Sequence, residues 1–139
     1  APVPFESFRT RAGEEGLDYA PVTATGRFRH DLEALVPYNQ PGATRGLPVR
    51  GYLVFTPLVG ENGAVTMVNR GFVPEERKDP ASRSQGSPEG VVTVTGLLRT
   101  AEPARWFLPA DDPGKNMFFT RDPAAIARAK GLTSPPLYI

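Results

Sequence analysis

The stretch Val65-Thr-Met-Val-Asn-Arg-Gly-Phe-Val-Pro74 decides how the rest of this chain is read. It follows a Glu61-Asn62-Gly63 turn signal, runs through β-branched and apolar residues, and stops at a proline, which is the pattern of a central strand. Its middle breaks that pattern. Asn69, Arg70 and Gly71 stand where Val or Ile is expected, since Asn and Gly are depleted in strands and a buried arginine needs a partner. Gly71 therefore predicts a β-bulge. Two readings of Arg70 stand side by side: it reaches a carboxylate of its own chain, or the bulge aims its planar fork of donors at a partner's carboxylate or phosphate.

Immediately upstream, Gly51-Tyr-Leu-Val-Phe-Thr-Pro-Leu-Val59 is a near-continuous apolar strand, and the Glu61-Asn62-Gly63 link folds it antiparallel onto the first as a hairpin. Pro57 has no N–H to give a ladder, which predicts an edge or a bulge there. Further back, residues 19–28 alternate, with Val22, Ala24, Gly26 and Phe28 on one face and Thr23, Thr25, Arg27 and Arg29 on a wet one. Residues 33–38 are expected to pair back on them through a turn at His30 and Asp31. Residues 39–48, with two prolines and two glycines, read as a loop. Residues 1–17 mix charges, prolines, Phe5 and Phe8 without a period, and read as an irregular lead with a turn of helix.

Downstream, the polar residues 75–90 read as a surface loop, and residues 91–100 as a strand with Val92, Val94, Gly96 and Leu98 on one face. Val22-Thr-Ala-Thr-Gly26 and Val92-Thr-Val-Thr-Gly96 share one pattern, and both glycines fall where a strand bends to close a barrel. Trp106 opens a short apolar piece, residues 110–116 are turn-rich, and residues 117–120 read as a short strand. Asp122 caps a helix with Pro123 at its first position, residues 124–130 as its body and Gly131 as its terminator. Two prolines then lead into Leu137, Tyr138 and Ile139, which read as a beginning strand. The expected architecture is a mainly antiparallel β-barrel or strongly curved sheet with one or two short helices, in a single domain covering residues 1–139.

Composition narrows the function. A net charge of +1 with dispersed arginines implies no nucleic-acid partner, and the absence of cysteine removes disulfides, thiolate catalysis and cysteine metal sites. No run approaches the roughly 18 apolar residues of a spanning helix. His30 is the sole histidine. Its neighbour Asp31 points the opposite way on an extended backbone, so the two do not make a triad. The paired acids Glu14-Glu15, Glu75-Glu76 and Asp111-Asp112 lie in turn-like segments, and no glycine run has the form of a phosphate loop. No catalytic residue is assigned, and a non-enzyme is expected. His30 beside Arg29 and Asp31 reads as a hydrated surface group; the sharper alternative is an axial haem ligand with Phe28, Phe72, Trp106, Phe118 and Phe119 as a wall. Arg27-Phe28-Arg29 lacks the further basic and aromatic partners of a nucleic-acid site.

Several blocks, in order, resemble the Surfeit locus protein 1 family: Gly26-Arg-Phe-Arg-His-Asp31, Gly51-Tyr-Leu-Val-Phe-Thr-Pro-Leu58, Val68-Asn-Arg-Gly-Phe-Val-Pro74, Val94-Thr-Gly-Leu-Leu-Arg99 and Phe107-Leu-Pro-Ala-Asp-Asp-Pro-Gly-Lys-Asn116. Arg121-Asp122 before a short alanine-rich helix extends the likeness. The resemblance implies an assembly factor for haem-copper cytochrome c oxidase that assists haem a insertion into subunit I, with subunit I and haem a synthase as partners. It also implies a membrane helix on each side of this stretch, absent here, and an extracytoplasmic, periplasmic position at a bacterial cell membrane.

Two departures accompany it: Phe118 stands where the family commonly has tryptophan, and the family's haem-binding histidine lies in an Asn-His-Leu stretch outside this chain. His30 is the candidate cofactor-binding residue within the chain, and the chain alone is expected to bind haem weakly or not at all. Asn69, Arg70 and Gly71 are expected to shape a partner-binding or structural rim with Asn116, Arg121 and Asp122 as supports, and Arg70 to pair with Asp122. The alternative is an extracytoplasmic β-barrel interaction domain unrelated to haem.

Overall fold

The computed structural model describes residues 2–40, 49–79, 89–102 and 108–139. Within them the chain forms β1 (Val3–Pro4), β2 (Pro21–Phe28), β3 (Ala34–Gln40), β4 (Val49–Val59), β5 (Val65–Pro74), β6 (Val91–Leu97), β7 (Arg99–Thr100), α1 (Pro123–Ala129) and β8 (Leu137–Tyr138). Trp106, most of the 39–48 loop and the middle of the 75–90 loop lie outside the described residues.

The hairpin at the centre forms as its sequence dictates. β4 and β5 pair antiparallel from Val59↔Val65 to Gly51↔Pro74. Between them Gly60 N–H donates to the Ala64 carbonyl at 2.9 Å, while Asn62 Oδ1 accepts from Ala64 N–H at 3.1 Å. An asparagine that satisfies a backbone donor two residues on is the physical content of the turn signal. β5 spans residues 65–74, as expected, and its first half is covered on both sides because β8 joins it in parallel at Met67↔Tyr138.

The expected hairpin between residues 19–28 and 33–38 does not form. Arg29 breaks the strand and His30–Leu32 make a 3-10 turn, which redirects the chain without reversing it. β2 and β3 therefore run in succession along the same edge of β4, β2 meeting it only at Arg27↔Val59 and Phe28↔Leu58 and β3 pairing from Ala34↔Phe55 onward. Pro57 lies opposite the gap between them. It is neither on an outer edge nor in a bulge: its carbonyl accepts from Arg29 N–H at 2.9 Å. Because N–H and C=O of one strand residue point to the same side, its missing donor also faces the gap.

Released from β3, β2 pairs with β6 along its whole length, Pro21↔Leu97 to Arg27↔Val91. The two repeated sequences are thus each other's partners, with Val22↔Gly96, Ala24↔Val94 and Gly26↔Val92. At Gly26 the absence of a side chain is required, since a Cβ there would sit 2.4 Å from the Val59 carbonyl oxygen as β2 passes from β6 to β4. β6 and β7 are one run of chain bent at Leu98, whose N–H bonds to the Ala20 carbonyl at 2.8 Å. β7 pairs antiparallel with β8. The sheet is strongly curved, a half-barrel with one helix and several 3-10 turns, as its sequence class predicted.

Three clusters of buried apolar residues pack on this sheet, the smallest being Leu35, Tyr52 and Val54 on β3 and β4. Phe5, Leu17, Val22, Leu98, Leu137 and Ile139 are packed together in a second, and Phe55, Met67, Phe118, Ile126 and Tyr138 belong to the third, under α1. Alternation along β8 sends Leu137 and Ile139 one way and Tyr138 the other. Phe5 comes from a 3-10 turn, Phe5–Phe8, in the irregular lead, and β1 lies parallel to β2, a strand the sequence reading missed. Residues 117–120 are not a strand; Met117 makes only isolated bridges to Leu35 and Asp112, and Phe118 drops into the core at 1% exposure. Among the described residues the aromatics of the haem alternative go to separate places: Phe118 is core, Phe72 packs edge-on to Tyr38, and Phe28 lies with His30.

α1 begins as its sequence predicts. Asp122 Oδ1 accepts from Ala125 N–H at 3.3 Å with Pro123 in the first turn. At its end Leu132 N–H reaches the Ala127 carbonyl and Gly131 N–H the Arg128 carbonyl, the two reversed bonds of a Schellman cap.

Candidate functional site

The register of the central hairpin slips between Leu53 and Phe55, so that Arg70 and Gly71 together oppose Val54. This is a β-bulge, placed where Asn-Arg-Gly predicted it. Gly71 has φ +105°, and its N–H donates to Asn69 Oδ1 at 2.9 Å. Asn69 N–H in turn donates to the Ile139 carbonyl at 2.8 Å. Asn69 and Gly71 are therefore the frame of the bulge and Arg70 is its cargo.

Arg70 goes elsewhere than expected. Its Cζ lies 5.1 Å from the centroid of the Phe28 ring, and Nη1 approaches His30 Nδ1 at 3.5 Å. The Phe28 and His30 rings lie 5.3 Å apart, inclined by 38°. The planar, weakly hydrated guanidinium suits an aromatic face. His30 is half-buried in this group, not the hydrated surface residue that its neighbours Arg29 and Asp31 suggested. Those neighbours pair with each other at 2.8 Å, and the Arg29 guanidinium holds the Asp31 carboxyl below its ordinary value.

The three expected supports serve three other places. Asp122 caps α1 and makes no ion pair with Arg70; the nearest reason is that its carboxylate faces its own helix N-terminus. Arg121 pairs with Glu102, Nε to Oε2 at 3.5 Å, and the two residues also exchange a backbone bond from Glu102 N–H to the Arg121 carbonyl at 2.9 Å. This ties the start of α1 to the end of β7. Asn116, at φ +58°, closes a 3-10 turn at Pro113–Lys115; its Nδ2 donates to the Glu33 carbonyl at 2.8 Å and its Oδ1 accepts from Lys130 Nζ.

Glu33 and Lys130 were not singled out from sequence, although Glu33 is only 5% exposed. A carboxylate at the start of an apolar strand and a lysine at a helix end carry no local sign that they will share an asparagine 83 and 14 residues away. Lys130 Nζ also lies 5.7 Å from the Phe118 ring centroid. Burial pushes the Lys130 ammonium below its ordinary 10.5, with the Glu33 charge opposing. The folded lysine thus releases its proton more readily than the unfolded one, and the folded state binds fewer protons in the window below 10.5. The stability of the native chain relative to Lys130→Met is expected to rise as pH climbs through that window. Urea unfolding of the two proteins across alkaline pH checks this; a flat difference counts against it.

A cavity of about 520 Å³ beside Asn116 is lined by Glu33, Glu75, Glu76 and Asp79 against Lys78 and Lys115. Among the described residues no group of three or more His, Asp or Glu side chains is placed to hold a metal ion. Arg70, Phe28 and His30 bring together no nucleophile with a base. Arg70 is a cation held against the Phe28 ring and His30.

The whole chain, residues 1–139, matches the SURF1 family. The chain belongs to the SURF1 family. Surfeit locus protein 1 of Homo sapiens is 34% identical over 140 residues, covering 90% of this chain and 45% of that protein. The Rattus norvegicus protein of the same name is 31% identical over 135 residues, covering 90% and 44%, and a SURF1-like protein of Monosiga brevicollis is 37% identical over 114 residues, covering 76% and 43%. This SURF1 chain thus spans less than half the length of each of these three relatives.

His30, the one imidazole, is flanked by the Phe28 ring and the Arg70 guanidinium, so its Nδ1 faces a cation. The cavity beside Asn116 carries more carboxylates than lysines, which opposes the propionates of a haem. The aromatic groove, with Tyr38, Tyr52, Met117 and Phe119 on its walls, does not include His30. No helix of the described residues is long and apolar enough to cross a membrane.

Proposed function

We propose that this chain is the extracytoplasmic domain of an assembly factor for haem-copper cytochrome c oxidase, acting as a docking scaffold that makes and breaks no covalent bond. Membership of the SURF1 family along all 139 residues carries this reading. The geometry supports it: every candidate side chain is engaged in holding the sheet rim, the helix or the turn between them. In the full protein the domain lies between two membrane helices on the periplasmic face of a bacterial membrane, and it assists haem a insertion into subunit I with subunit I and haem a synthase as partners. The haem itself is held outside this chain.

Two measurements test the reading. Full-length protein, isolated in mild detergent, is expected to retrieve oxidase subunit I; failure to do so favours an interaction domain of another extracytoplasmic system. Titration of the purified 139-residue chain with haem is expected to give no stoichiometric Soret shift. A stoichiometric shift that disappears in His30→Ala would place haem on this chain and overturn the scaffold reading.

A further inference from the structure

One long edge of the sheet is uncovered among the described residues. β6 gives one edge to β2 over its whole length, and no described strand or backbone hydrogen bond reaches the other. Natural sheets defend such edges with charge, proline or bulges. This one does not: Val91–Leu97 reads Val-Val-Thr-Val-Thr-Gly-Leu. Val91 is 62% exposed and Leu97 50%.

The order of side chains along β6 is chemically palindromic about Val94. A second copy laid antiparallel with Val94 opposite Val94 sets Val91 against Leu97 of that copy, Thr93 against its Thr95, and Val92 against its Gly96. Apolar meets apolar, hydroxyl meets hydroxyl, and the smallest residue meets a branched one, the matches that stabilise cross-strand pairs. The fold already contains this pairing once. β2, whose Val-Thr-Ala-Thr-Gly differs from Val92–Gly96 only at Ala24, lies on the first edge in the same register, Ala24↔Val94 with Val22↔Gly96 and Gly26↔Val92. There the Thr25 and Thr93 hydroxyls bond at 2.8 Å.

We propose that the edge of β6 left uncovered by the described residues is a self-association surface, joining two copies antiparallel about Val94 into one continuous sheet with a twofold axis. A twofold contact requires a surface complementary to itself, which a palindromic strand supplies and an arbitrary edge does not. The two exposed apolar residues at the ends of β6 are then buried against each other on both sides of the axis. This inference does not depend on the assembly-factor reading.

Sedimentation of the 139-residue chain with rising concentration is expected to carry its mass from 15.0 kDa to twice that value. The double variant Val91→Lys/Leu97→Lys sets lysine opposite lysine at both ends of the contact, at exposed positions, and is expected to stay monomeric with an unchanged circular dichroism spectrum. Mixing it with Val91→Glu/Leu97→Glu is expected to restore association as a mixed dimer, which a merely unfolded variant does not do. The chain has no cysteine, so Val94→Cys is expected to crosslink to itself under mild oxidation, whereas Glu61→Cys, in the β4–β5 turn, does not. A chain monomeric at every concentration, or a dimer that survives the lysine pair, overturns the proposal.

Discussion

Phe55→Ala lowers the free energy of unfolding by about 3–5 kcal/mol, read as a fall in the urea midpoint at unchanged slope. Phe55 is 0% exposed at the middle of β4, where it pairs with Ala34 on one side and Asn69 on the other. Its ring meets Tyr138 at 5.0 Å and 60°, and it shares a core with Phe118 and with Ile126 of α1. Two strands and a helix hold the walls of the space that the ring leaves, so the cavity collapses little and the loss lies at the high end for a buried side chain. Val3→Ala, 42% exposed at the start of the chain, is the control and is expected to change stability by no more than about 0.5 kcal/mol. Equal losses at the two sites would remove Phe55 from the core.

Gly71→Val is expected to cost about 1–3 kcal/mol and to unseat Arg70. Nothing lies within 4 Å of the place a Cβ would take at Gly71, so the cost is not crowding. It is the φ of +105°, which a β-branched L-residue avoids. To escape it the strand must surrender the bulge, and the register that sets Arg70 over Phe28 and against His30 goes with it. Because His30 is the sole histidine, its ring resonances report the displacement directly. A semisynthetic chain with D-alanine at position 71 is expected to keep both its stability and those resonances, since the mirror residue accepts positive φ. If Gly71→Val leaves stability and the His30 signals where they were, the bulge does not position Arg70.

The β4–β5 hairpin, the bulge and α1 were legible in the sequence because their determinants are local. Asn62-Gly63 sets the turn, Asn69-Arg-Gly71 sets the extra residue, and Asp122-Pro123 with Gly131 sets the two ends of the helix. The partner of β2 was not legible. Neighbours in sequence favour a hairpin at His30, yet β2 takes β6 as its main partner; the repeated Val-Thr-x-Thr-Gly pattern marks two bending strands and does not say that they pair. The ends of the candidate site were not legible at all. Arg70 and Asp122 match in charge, and a linear reading pairs them, whereas the fold commits Asp122 to its own helix and lays Arg70 across the sheet onto β2.

By itself, then, the sequence determined the class of the fold, a curved sheet rich in short strands, and the place where its central strand must bulge, because alternation, turn chemistry and glycine conformation act over a few residues. Only the tertiary structure decided what the polar residues of the candidate site meet. Arg70 with His30, Asn116 with Glu33 and Lys130, and Arg121 with Glu102 are contacts between segments 14 to 83 residues apart, brought together by strand order and burial. Electrostatic attraction between a given pair does not fix that order; the packing of the apolar clusters does, and the polar side chains take the partners it leaves within reach.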